Sequence, residues 1–91
     1  MSQYADSLKE MPPDALVRHG IHVYLGARRS RTADDYAYVD LIGAECFARE
    51  GRHGQLWQQI LSGVLAEEAA IRRSNEAATE SLRAMHAEAT P

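Results

Sequence analysis

The most constraining feature of this 91-residue chain is its last third. From Gly54 to Ala87 there is no proline, and Gly63 is the only internal helix breaker. Trp57, Leu61, Val64, Glu68, Ile71, Asn75, Ala78, Leu82 and Met85 follow one another at alternating spacings of four and three. That is a sustained heptad, and it predicts one long helix over residues 54–88 with an apolar edge. Such a helix would be about 50 Å long at ~1.5 Å per residue. Leu56, Ile60 and Leu65 broaden the edge in the first half, as expected of a helix packed in a globular core. The second half narrows to the seam alone, the pattern of a coiled coil.

With Leu61, Glu68, Asn75 and Leu82 at a positions, Trp57, Val64, Ile71, Ala78 and Met85 fall at d. Glu67 then falls at g and Arg72 at the following e, where a parallel dimer would pair them. A lone asparagine at an a position, here Asn75, fixes register and favours two strands at a cost in stability. Leu61, Val64, Glu67, Glu68, Ile71, Arg72, Asn75, Ala78 and Leu82 are therefore the candidate self-association residues, with a homodimer the expected product. The competing outcome is a helix that folds back on its own domain or frays. Glu68, Asn75 and Ala78 are weak seam residues and do not make a strong isolated zipper.

The rest of the chain reads as a short helix and two longer ones. Pro12-Pro13 is firm punctuation. Residues 3–10 before it form a two-turn helix that Tyr4 and Leu8, spaced i,i+4, dock onto a core. Pro13 suits a first helical turn, and Asp14 and Arg28, Arg29 and Arg31 match the two ends of the helix dipole, giving a helix over 13–29. The rival is a strand at residues 21–25 (IHVYL), bounded by Gly20 and Gly26. A strand needs a partner, and only Tyr36 to Ile42 could supply one, so helix is preferred. Thr32 and Asp35 resemble a capping box opening a helix over 33–50, with Gly51 as its terminator. That helix carries two apolar stripes, Tyr36, Val39, Ile42, Gly43, Cys46 and Phe47 beside Ala37, Leu41, Ala44 and Ala48, which predicts a central position. The expected fold is an all-α bundle of three main helices with a short N-terminal one.

A domain this small buries only about 60–65% of the surface its unfolded chain exposes, so association with another chain would help it. Residues 14–31 carry a net charge of +3 and residues 32–51 one of −4. The two segments either attract each other or leave the arginines as a partner surface. Arg28, Arg29 and Arg31 are the candidate partner-binding residues. A nucleic-acid-binding regulator using them is the first alternative function. A helix–turn–helix reading would place Asp34, Asp35, Asp40 and Glu45 on the recognition helix, where phosphates repel them, and the overall charge of −3 is also unfavourable.

Catalytic signatures are thin. His19 and His22 are half of a metal site, and Glu50 with His53 has a ligand-like spacing that Gly51 interrupts. A metal-binding enzyme subunit is thus the second alternative. Cys46 lies on an apolar stripe among Asp40, Glu45 and Glu50, which favours a buried, unreactive thiol. Ser62-Gly63 lacks the frame of a nucleophile elbow, and the six glycines form no phosphate loop. We expect no catalytic residue, cofactor or metal.

No apolar run approaches the ~20 residues of a membrane span, and the first residues lack a signal-peptide pattern. A cytoplasmic protein with a reduced thiol is expected. Nine arginines against one lysine, with abundant alanine, suggest a high-GC bacterial or phage genome. The expected function is non-catalytic: a small oligomeric interaction module that inhibits, adapts or regulates a larger macromolecular partner, in the manner of a phage or mobile-element accessory protein.

Overall fold

The computed structural model describes residues 2–89. The chain is all α: α1 (Ser2–Glu10), α2 (Pro13–Ser30), α3 (Ala33–Glu50) and α4 (Gln55–Ala89). Residues 21–25 are helical, and no described residue forms a strand. Pro12 is extended and Pro13 opens α2, with Asp14 in the first turn and Arg28 and Arg29 in the last. Arg31 ends α2 in the left-handed conformation at φ 56°, donating its N–H to the carbonyl of Ala27 at 2.8 Å. The Thr32 hydroxyl accepts from the N–H of Asp35 at 3.3 Å, so the capping residue read from the sequence starts α3. Ser30 bridges the turn by donating to the Asp35 carboxylate. Gly51 closes α3 at φ 62°, ψ −127°, a backbone state open to glycine and little else.

The core is formed by Leu8, Leu16, Ile42, Cys46, Leu56, Ile60 and Val64. All four helices contribute. α2 and α4 run alongside each other in the same direction and approach closely through a reciprocal pair of glycines. A β-carbon at Gly20 would lie 2.5 Å from Cδ1 of Ile60, and one at Gly63 would lie 2.4 Å from Cδ1 of Ile21. Each helix thus inserts an isoleucine where the other has no side chain. Gly43 similarly lies under the indole of Trp57, whose nearest ring carbon is 3.3 Å from its would-be β-carbon. These contacts account for glycines that would otherwise weaken α2, α3 and α4.

α3 is not central. Val39, Ile42, Gly43 and Cys46 are buried, but Ala44 and Ala48 on the expected second stripe face solvent, and Tyr36 and Phe47 are exposed at its ends. Alanine widens an apolar stripe in sequence without supplying enough surface to demand cover.

α1 is fixed by means not visible in the sequence pattern. Leu8 is buried as expected. In addition, Nη2 of Arg49 donates to the carbonyls of Leu8 and Lys9 at 2.7 and 3.1 Å, while its Nε pairs with Glu45 at 2.8 Å. A cation therefore sits on the carbonyl end of α1, where the helix dipole favours it.

Candidate interaction site

α4 has two halves that differ in environment. Leu56, Ile60 and Val64 are buried against the other helices, whereas every side chain from Ala69 to Ala87 is exposed. The exposed stretch includes Ile71, Leu82 and Met85, the last two about two-thirds accessible. The overall extents of 63 × 24 × 18 Å reflect this projection. The bare stretch is about 28 Å long at the α-helical rise.

The sequence-derived seam residues divide accordingly. Val64 is 1% exposed and belongs to the chain's own core, so its expected place on an intermolecular seam is corrected. Its neighbours on the broad first half of the seam drew it inward. Leu61 is half-buried. Glu67, Ile71, Arg72, Asn75, Ala78 and Leu82 are open to solvent. Glu68 stands at the boundary, half-buried, with Oε1 2.9 Å from Nε of Arg28.

That ion pair joins two features that are far apart in sequence. α2 ends beside the point where α4 leaves the bundle, and an open groove of about 720 Å³ lies between them. Arg28, Arg29 and Arg31 line one side; Glu68, Ile71, Arg72 and Asn75 line the other. The three partner-binding candidates therefore share one surface with four of the self-association candidates, while Leu61, Val64, Glu67, Ala78 and Leu82 lie outside it. Leu25, Thr79, Glu80 and Arg83 complete it, together with Glu76. No sequence signal singled these out, because they join the groove only once α2 and α4 lie side by side. The groove holds five arginines and three glutamates, a positive balance. Arg28 also stacks over Tyr24, its Cζ 5.9 Å from the ring centre. The Arg28 cation is thus turned to α4 rather than to the acidic residues of α3.

Two of the remaining polar candidates, His19 and Glu50, are engaged within the bundle. The Tyr4 hydroxyl lies 2.7 Å from Nε2 of His19, and the Tyr4 ring packs edge-on against Tyr38. Burial first, and His22 second, hold the His19 imidazole below its ordinary value. Burial, followed by Tyr38, pushes the Tyr4 phenol up. Oε2 of Glu50 accepts from the N–H of Leu56 at 2.9 Å and caps the start of α4. Among the described residues, no three of His, Cys, Asp and Glu converge as a metal site. Cys46 is fully buried, and burial pushes its thiol up, away from the reactive thiolate.

No described helix is long and apolar enough to cross a membrane. No family model, curated protein or solved structure matches this chain.

Proposed function

We propose that this protein is a non-catalytic interaction module that self-associates through the projecting half of α4 and, in that form, regulates or adapts a larger macromolecular partner. A single observation carries the reading. The face that buries Ile60 and Val64 in the bundle continues through Ile71, at the end of α2, into Ala78, Leu82 and Met85, which are exposed with no other described helix over them. Apolar edges of that length on a projecting helix are a cost in water unless another surface takes them up. A small bundle also gains stability from association. A buried lone thiol suits the reducing cytosol, where we place the protein.

The test is the solution mass of the full chain and of Ile71→Asp/Leu82→Asp. The expected result is a dimer for the parent chain and a monomer with an intact bundle for the variant. A parent chain that stays monomeric at high micromolar concentration contradicts the proposal.

One observation supports a second reading, nucleic-acid binding: Arg28, Arg29, Arg31, Arg72 and Arg83 line one groove. Three glutamates line it too, and Arg28 is already paired with Glu68, so phosphate contact there meets repulsion. Binding to a short DNA or RNA duplex that falls steeply with salt, and is lost in Arg28→Ala/Arg29→Ala/Arg31→Ala, would establish this reading. Absence of binding at low salt removes it.

A further inference from the structure

We infer that the partner on the bare face of α4 is a second copy of this chain running antiparallel, with the tip of each α4 seated in the arginine groove of the other. The inference rests on the self-association proposed above and adds its geometry. Part of α4 is already covered. Gly20 meets Ile60, Ile21 meets Gly63, and Arg28 meets Glu68, so α2 lies along α4 and ends near the level of Ile71. Trp57 packs on Gly43 of α3. The seam face is thus occupied up to about that level and empty beyond it.

A helix packed on the empty part lies about 8–10 Å from the α4 axis, roughly in line with α2. In a parallel dimer the partner's α4 would have to continue along the same line past Ile71 towards Trp57. That space is filled by α2 and α3. The parallel pairing of Glu67 with the partner's Arg72, expected from the heptad, is therefore blocked by each protomer's own bundle. An antiparallel helix meets no such obstacle. Its tip stops at the end of α2, and its own bundle lies beyond the other tip.

The sequence fits this orientation. Antiparallel seams set a positions against d positions. With the last turn of the partner's α4 at the level of Ile71, Ala78 faces the partner's Leu82 and Asn75 faces the partner's Met85. Small residues then oppose large ones, as close packing requires. The charge fits as well. The carbonyl end of a helix carries about half a negative charge, and in this arrangement it enters the end of the groove that Arg28, Arg29, Arg31 and Arg72 line beside Glu68.

A single spin label tests the orientation. Ala87 is exposed and Cys46 is fully buried, so Ala87→Cys gives one accessible thiol per chain without touching the core. Mass is measured on the labelled full chain, and the label-to-label distance in the dimer is then read. The antiparallel arrangement predicts a dimer with labels about 20–25 Å apart, from an offset of about 14 residues at ~1.5 Å each. A dimer with labels about 10 Å apart overturns the orientation and leaves self-association standing. A monomer overturns both.

Discussion

The two halves of α4 share one helix, one heptad and no proline, yet one half is core and the other is bare. Periodicity alone does not separate them. The residues beside the seam do. Leu56 and Ile60 widen the first half into a face that two helices can cover, and Gly63 lets α2 approach. Beyond Glu68 the seam has neighbours such as Arg72, Ser74 and Glu76. A broad apolar face recruits the chain's own helices, and a narrow one is left for another helix.

The largest effect that could break this comparison lies in the covered half. Ile60→Ala should cost about 2–5 kcal/mol, since it empties a fully buried site, measured by urea unfolding. Ile71→Ala under the same conditions, at concentrations low enough to hold a monomer, should stay within about 0.5 kcal/mol. Equal losses at the two sites would erase the distinction.

Next in size is Gly63→Val. It places a branched side chain where Ile21 already sits and should cost about 1–3 kcal/mol through overpacking. Ala70→Val, seven residues further along, should be nearly neutral because that position is exposed. A tolerated Gly63→Val would mean that α2 and α4 are not closely docked.

Arg49→Ala sharpens the account of the bundle end. Loss of its bonds to Leu8 and Lys9 should cost about 1–3 kcal/mol and loosen α1, read as faster amide exchange there. Unchanged exchange in α1 would show that Leu8 alone holds it.

The smallest effect is set by pH. His19 titrates lower in the folded chain than in the unfolded one. Its contribution is therefore complete above about pH 6.5 and is lost as pH falls below that value, where the unfolded chain takes up the proton first. Tyr4→Phe leaves His19 without its hydroxyl partner. Stability that is flat from pH 7.5 to 5.5, in the parent and the variant alike, would contradict this assignment.

What could be read from the sequence followed short-range rules. The all-α fold, the Thr32 cap, the docking of α1 through Leu8 and the long last helix all rest on spacing, capping and proline placement. What could not be read depends on contacts between distant positions. Arg49 reaches Leu8 across 41 residues, and no periodicity announces that. The alanines of α3 read as a second buried stripe because hydropathy does not weigh how little surface Ala44 and Ala48 offer. The groove escaped for the same reason as Arg49. Its two walls, the Arg28–Arg31 cluster and the α4 seam, were each legible, but their meeting was not.

Amide hydrogen exchange along α4, followed as protein concentration is raised, distinguishes a covered half from one that is covered only by association. Protection over residues 56–67 should be independent of concentration. Protection over residues 69–87 should be weak when dilute and grow as the chains associate. Exchange over 69–87 that remains unprotected at every concentration, or that is fully protected in the dilute monomer, would contradict the account.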